Sequence, residues 1–128
     1  RITVAANPLP TGLVGLESWF WATGYDGRPI VDRIDALGIG VDVRIEPTPV
    51  TWAFGDDSTE TGGLGAAWPD ESPVRHAYLH HGSWTVTAHL DLVPRYRIDG
   101  TDWIELPRIA VEDTLAHRIR EAQAVITG

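Results

Sequence analysis

The chain has 128 residues, a net charge of −8, and 43% hydrophobic against 22% charged residues. This length fits one domain of ordinary size, since domains of about 100–150 residues are commonest, and the hydrophobic fraction excludes wholesale disorder. No apolar run reaches the roughly 18 residues of a membrane-spanning helix, and the acidic balance disfavours contact with phosphate backbones. We therefore expect no membrane insertion in this segment and no nucleic-acid partner.

Several residue types are missing altogether. Cysteine and methionine are absent, and all ten basic residues are arginines. The absence of cysteine excludes disulfides, thiolate zinc sites and cysteine nucleophiles. Arg1 stands where an open reading frame has Met, so we expect a processed chain or a piece of a longer one, and removal of a signal peptide would give such a start. The composition fits both a thermostable protein and a GC-rich genome, and the sequence leaves this open.

The first half of the chain predicts short strands, because glycines and prolines interrupt it at close intervals. Residues 2–5 are apolar and end at two prolines, and residues 16–22 are rich in aromatic side chains. A turn is predicted at residues 26–29. Residues 39–45 alternate between apolar and charged side chains, as a strand with one buried face does.

The second half continues the same pattern. Residues 50–54 and 84–93 alternate, and residues 74–80 form a further predicted strand. Residues 55–72 form the longest irregular stretch, which predicts a loop. The pair Asp99-Gly100 is typical of a type I′ hairpin turn and predicts a two-stranded ribbon over residues 94–107.

Residues 111–126 fit two kinds of element. Helical spacing relates Leu115, Ile119, Ala122 and Ile126, and residue propensities favour a helix. As a strand the segment alternates less cleanly. The residues alone leave both possibilities open.

One segment carries a recognisable motif. It begins Val-Thr-Trp-Ala-Phe-Gly-Asp at residues 50–56 and continues, after a polar loop, with His76, Tyr78, Gly82, Trp84 and Val86. This order and spacing resemble the PKD domain. The chain departs from that family's pattern at Asp57, where glycine is preferred, and at Trp84, where tyrosine is usual.

The resemblance implies an all-β fold, namely an immunoglobulin-like β-sandwich of PKD type with an extra β-hairpin. We expect a single domain over residues 1–128, with its core motif at 41–93, an N-terminal strand extension at 1–22, and the hairpin and C-terminal strand at 94–128. The opening of the chain, with aromatic residues 19–21, is similar to secreted actinobacterial proteins that carry one PKD unit. That likeness implies that residues 111–126 form a strand.

The motif residues have structural roles in this interpretation. Alternation places Trp52 and Phe54 in the core, and we expect Trp84 there as well. The Asp56 carboxylate can accept backbone N–H bonds in the turn after Gly55. The resemblance implies that the Tyr78 hydroxyl finds a backbone partner and that His76 makes a structural hydrogen bond. The full set of fold-motif residues is Trp52, Phe54, Gly55, Asp56, His76, Tyr78, Gly82, Trp84 and Val86.

Reactive chemistry has little support in the sequence. The acidic loop residues Asp56, Asp57 and Glu60 could hold Ca²⁺, but the spacing of an EF-hand is missing and turn chemistry explains them as well. His80 and His81 lack a zinc-binding frame. No Gly-x-Ser-x-Gly motif occurs. We therefore expect no catalytic residues, no metal, no cofactor and no enzymatic activity.

The tryptophans are candidates for contact with a partner. Trp19, Trp21, Trp68 and Trp103 could stack on sugars or anchor a protein interface, and packing within the chain is the alternative.

We expect a secreted or cell-surface bacterial module that is structural or adhesive and binds protein partners or itself. Filament assembly by strand addition of residues 1–10 is one form of this. The alternative is a carbohydrate-binding module that uses exposed tryptophans.

Overall fold

A computed structural model describes residues 1–9 and 11–121, and it shows an all-β chain. The strands are β1 (Thr3–Asn7), β2 (Thr11–Leu13), β3 (Glu17–Thr23), β4 (Ile30–Ala36), β5 (Ile39–Pro47), β6 (Val50–Ala53), β7 (Thr59–Gly62), β8 (Arg75–Ala77), β9 (Gly82–Ile98), β10 (Ile104–Glu105) and β11 (Ile109–Arg120). In these residues there is no helix with the length and apolar character that crossing a bilayer requires.

Two sheets face each other across one core. The smaller sheet has the order β1-β3-β8 and is antiparallel. The larger sheet has the order β2-β11-β9-β5-β4, with β6, β7 and β10 paired alongside. The core joins side chains of both sheets, such as Phe20 from β3 and Trp52 from β6, which are both fully buried. This arrangement is a β-sandwich.

Strand β9 holds the larger sheet together. Its first part, from Gly82 to Leu92, pairs with β11. From Leu92 to Ile98 it pairs instead with β5, and β10 pairs with it at Arg95 and Tyr96. Its 17 residues span about 55 Å at the usual rise of ~3.3 Å per residue. The strand therefore extends well beyond the smaller sheet.

Alternation along the strands fills the core as the sequence predicts. Buried residues alternate along β1, β3 and β6 and over residues 86–90 of β9, so that one face of each of these strands meets the opposite sheet. The buried apolar residues of the sandwich strands include Val4, Ala6, Phe20, Val50, Trp52, Val86, Ala88, Leu90 and Ile119. Trp84 was expected in the core, but it is only partly buried and packs at the margin of that cluster.

The corner between β6 and β8 is tied by polar groups. The Tyr78 hydroxyl donates a hydrogen bond to the Phe54 carbonyl oxygen at 2.8 Å, and burial raises the pKa of Tyr78. The His76 ring stacks on Phe54 with 4.4 Å between centroids, and its Nε2 lies 2.6 Å from Asp56 Oδ2. The predicted roles of Tyr78 and His76 are confirmed.

The turn after β6 uses backbone conformations that few residues adopt. Gly55 has φ +89°, and a Cβ there would lie 2.7 Å from the Thr85 carbonyl oxygen. Asp57 has φ +68°, a left-handed conformation that aspartate tolerates better than most residues. The Asp56 carboxylate accepts the Ser58 backbone N–H at 3.1 Å, as predicted. Burial acts to raise the pKa of Asp56, but its bonds to His76 and Ser58 hold that pKa below the ordinary value.

The C-terminal segment is a strand over residues 109–120, so the helix favoured by propensity is wrong there. The two-residue alternation of this strand is hard to see in the sequence, because two of its core-facing residues, Asp113 and His117, are polar. The apolar residues that remain on that side, such as Leu115 and Ile119, are four apart and so mimic helical spacing. The Asp113 carboxylate accepts the Val4 backbone N–H at 2.8 Å, and His117 Nε2 lies 2.8 Å from Ser18 Oγ. Residues 122–126 of the predicted element lie outside the described residues.

The structure also corrects several predicted strand bounds and one predicted turn type. Residues 30–36 form β4, although no element was assigned to them, and residues 59–62 of the predicted loop form β7. The predicted strand 74–80 is reduced to β8. The ribbon at 94–107 is the end of β9 paired with β10, and only Gly100 of its turn has positive φ, which excludes type I′.

The Tyr78 corner makes a testable contribution to stability. We expect Tyr78→Phe to lower the free energy of unfolding by about 1–3 kcal/mol, because it leaves the Phe54 carbonyl buried without that donor. Urea unfolding followed by tryptophan fluorescence measures the change. Tyr96→Phe, on β9 beyond the sandwich, is the matched control. An equal loss in both variants would contradict a special role for the corner.

Candidate functional site: a projecting arm with two unlike faces

Four strand segments form a sheet that projects from the sandwich. We call it the arm and define it as residues 28–47 and 94–106. Strand β4 pairs with β5 along its whole length, and β5 pairs in turn with the end of β9. Strand β10 closes the other edge of β9 through Ile104 and Glu105.

One face of the arm is almost entirely apolar. The register places Ile34, Val41 and Ile98 side by side on it, and alternation repeats this pattern along the strands. We call this the apolar face, and its members are Ile30, Ile34, Ile39, Val41, Val43, Ile45, Tyr96, Ile98 and Ile104. The same register places one charged residue, Asp32, opposite Val43 on this side.

The apolar face has no covering layer within the described chain. Ile34 is 52% exposed and Ile39 is 53% exposed, and Ile30, Ile98 and Ile104 are exposed to a similar degree. Large aliphatic side chains on one face of a sheet are normally buried against a second layer. A contiguous exposed patch of this kind marks an interaction surface in a folded protein.

The apolar face continues the inner face of the sandwich. Along β9 the even-numbered residues point to one side, from Val86 through Leu90 to Ile98. Over the sandwich this side is buried by the smaller sheet, and along the arm it is open because that sheet does not reach so far. The arm is therefore half of a sandwich whose second layer is absent from the described residues.

The opposite face of the arm carries charges that pair with one another. Arg33 contacts Asp42 at 2.8 Å and Asp99 at 2.8 Å, and Arg97 contacts Asp42 at 3.0 Å. Hydrogen bonds from Arg97 and Arg33 hold the pKa of Asp42 below its usual value. Further along this charged face, Arg95 lies between two glutamates. Such exposed pairs stabilise the sheet only modestly, but they keep this face polar.

The tip of the arm is an exposed leucine. Leu37 and Gly38 form a two-residue loop with φ +53° and +76°, which is a type I′ turn. Leucine is unfavourable in this left-handed conformation, where asparagine is preferred. Leu37 is fully exposed, so no packing within the described chain compensates for it.

A cavity of about 460 Å³ lies at the base of the arm. It lies where β5 runs into β6, so it marks the junction of the arm and the sandwich. Its apolar lining residues are Tyr25, Pro47, Pro49, Val50, Leu64 and Leu90, and Asp26 also lines it.

The four candidate tryptophans do not form one surface. Trp19 and Trp21 lie on the outer face of β3, partly buried, with Phe20 on the core side as the alternation predicts. Trp68 is 53% exposed and packs against Trp19 with 57° between the ring planes. The Arg75 guanidinium lies 4.2 Å from the Trp19 ring centroid, and Arg97 covers Trp103 in the same way.

The candidate ligand groups are not assembled into a metal site. Among residues 1–9 and 11–121 no cluster of three or more histidines and carboxylates could hold a metal ion. The Asp56 carboxylate is occupied by His76 and by the Ser58 N–H. Glu60 lies on β7 opposite Trp52.

A serine and a histidine form a hydrogen bond inside the core, and the sequence does not predict this contact. Ser18 and His117 are fully buried, and the His117 ring packs edge-on against Phe20 at 5.3 Å. Burial lowers the pKa of His117. Because a substrate has no access to this pair, its role is structural: Ser18 Oγ and His117 Nε2 satisfy each other, whereas His117 Nδ1 is buried without a hydrogen-bond partner among the described residues. No sequence signal separates this pair from an ordinary serine and histidine.

Comparisons with protein-family models, with curated proteins and with solved structures find no match to this chain.

Two histidines affect the pH dependence of the free energy of unfolding in opposite directions. Burial lowers the pKa of His117, so the unfolded chain takes up a proton first as pH falls through ~6.5, and the free energy of unfolding decreases. The hydrogen bond to Glu112 and the contact with Asp91 raise the pKa of His89, so its contribution is present at low pH and is lost as pH rises through the folded-state pKa.

We therefore expect the acid loss of stability to depend on His117. Urea midpoints at about pH 7.5 and 5.5 bracket the ordinary histidine pKa and measure the change. His117→Gln should be less stable but should show less further loss on acidification. His89→Gln should show a steeper loss than the wild type. An unchanged pH dependence in both variants would contradict this assignment.

Proposed function

We propose that this chain is a non-enzymatic structural module that acts by protein–protein contact through the apolar face of the arm. The uncovered face is the observation that carries the proposal. A sheet whose one face is aliphatic and whose other face is neutralised by ion pairs is suited to pack under a second protein layer.

The type of module is proposed from the motif. The proposal of a PKD-type, immunoglobulin-like sandwich is supported by the Tyr78 hydroxyl bond to Phe54 and by the stacking of His76 on Phe54, which bring the motif residues together at one corner. The setting proposed with it is the outside of a bacterial cell, either secreted or at the cell surface. The support for this setting is the resemblance of the chain to secreted actinobacterial proteins.

The carbohydrate-binding alternative has weaker support. Stacking on a sugar ring is best served by open, coplanar aromatic rings. Trp19 and Trp68 are inclined by 57°, and the faces of Trp19 and Trp103 are each approached by an arginine. Trp68 alone offers a largely open ring.

Assembly by donation of the N-terminal strand also has weaker support than contact through the arm. Strand β1 pairs with β3 of the same chain, and Val4 and Ala6 are buried in its own core. Donating this strand to a neighbour would first require those contacts to break. The arm needs no such rearrangement.

Site-specific photocrosslinking tests the proposed contact. p-Benzoylphenylalanine in place of Ile39 should give a covalent protein adduct in the cells that produce this chain, because Ile39 lies on the apolar face. The matched control is the same replacement at Leu79, which is 79% exposed but lies outside the arm. We expect several-fold more adduct at position 39, identified by mass spectrometry.

Equal or absent adducts at the two positions would contradict contact through the arm. A glycan screen with the purified chain tests the alternative. Glycan retention that is lost in Trp68→Ala would favour carbohydrate binding. Protease added to intact cells should degrade the chain if it lies outside the cell.

A further inference from the structure

We propose that the apolar face of the arm packs on the same face of a second copy of this chain. The two arms lie antiparallel about a two-fold axis, and Leu37 of each copy enters the cavity at the base of the other arm. This inference rests on the proposed function, because it names the partner of the same surface.

The exposed area reaches the lower end of the range found in stable dimers. The half-exposed isoleucines of the apolar face, with the tip residue Leu37, present on the order of 600 Å² of apolar surface. Specific protein interfaces take about 600–1,000 Å² from each partner, so a dimer formed through this face would be a small one. The face is a sheet, so its best complement is another sheet face, as in the sandwich of this chain.

The distribution of charge favours a second copy at this surface. Two chains of charge −8 repel each other, and this repulsion is weakest where the surfaces that meet carry few charges. Among the strand residues that the register places on the apolar face, Asp32 is the one charged residue. Most charges of the arm lie on the charged face, where Arg33 and Arg97 pair with carboxylates. The apolar faces can therefore meet with little opposing charge.

Symmetry brings the tip of one arm to the base of the other. A two-fold axis places identical faces together in reversed direction. Strand β5 has nine residues and spans about 30 Å, which is the distance from tip to base in either copy. When the arms overlap fully, Leu37 of one copy reaches Pro47 of the other, and Pro47 lines the cavity on the side of the apolar face.

The conformation and exposure of Leu37 favour a contact with a second molecule. Its φ of +53° is strained for leucine, and the side chain is fully exposed among the residues that the structure describes. The base cavity has about 460 Å³ of space and an apolar lining that includes Leu64 and Leu90. A leucine side chain in that cavity would exchange contact with water for contact with apolar groups.

Sedimentation velocity of the full chain over a range of concentrations tests the inference. We expect the wild type to reach twice its mass of 14.0 kDa and to associate more strongly as salt screens the net charge. Leu37→Asn should weaken the dimer at least ten-fold. Asparagine before glycine suits a type I′ turn, so this variant should keep its circular dichroism spectrum and melt no lower than the wild-type monomer.

Two further variants control the interpretation. Ile34→Thr keeps a β-branched residue on β4 but makes the apolar face more polar, so it should also weaken the dimer. Leu79→Asn removes an exposed leucine outside the arm and should dimerise like the wild type. A dimer that is unchanged by Leu37→Asn, or one that is lost equally in Leu79→Asn, would overturn the proposed contact.

The experiment separates this inference from the proposed function. A wild-type chain that stays monomeric at every concentration overturns the second copy as partner. If position 39 then crosslinks in cells to a different protein, contact through the arm stands and this inference alone is wrong. If position 39 gives no adduct and the chain is monomeric, both are wrong.

Discussion

The continuous pairing of β9 is the constraint on which the rest of the structure depends. This strand first lies at the centre of the sandwich and then becomes the centre of the arm, without a break in its hydrogen bonding. A strand so long cannot be covered along its whole length by the short strands of the smaller sheet. Its alternation continues regardless, so the aliphatic side that is buried near Val86 emerges uncovered at Ile98. The sandwich and the exposed face are thus two parts of one sheet.

Inside the sandwich, buried polar side chains are tolerated because they make hydrogen bonds, although the Nδ1 atom of His117 has no partner among the described residues. The Tyr78 hydroxyl bonds the Phe54 carbonyl, and Ser18 meets His117 where a strand of each sheet faces the core. An unpaired buried polar group costs on the order of 1–3 kcal/mol, so these contacts restrict which residues can stand there. These contacts also link the stability of the chain to pH, because burial of His117 disfavours its protonated form and lowers its pKa.

The two faces of the arm carry different interactions: ion pairs lie on one face and aliphatic side chains on the other. Ion pairs such as Arg33–Asp42 add modestly to strand pairing on one side of the arm, and the aliphatic side stays largely exposed among the described residues. A sheet stabilised in this way can present apolar surface without collapsing onto its own chain. Because the apolar face carries one charged residue, Asp32, another protein can approach that face against little local charge. Structure and proposed function therefore rest on the same separation of charged and apolar residues.

The sequence by itself determined the strands that alternate and the corner that its motif describes. The pattern of residues 50–54 predicted the burial of Trp52, and the motif predicted the contacts of Tyr78 and His76, because these depend on neighbours close in the chain or on fixed spacing. The residue pattern of 111–126 left helix and strand open, the likeness to secreted actinobacterial proteins implied a strand, and the structure confirms the strand as far as Arg120, with a partner distant in sequence for the polar His117. Only the tertiary structure decided that no described residue covers the apolar face of the arm. Alternation shows which side of a strand is apolar, but the reach of the opposite sheet determines whether that side is buried.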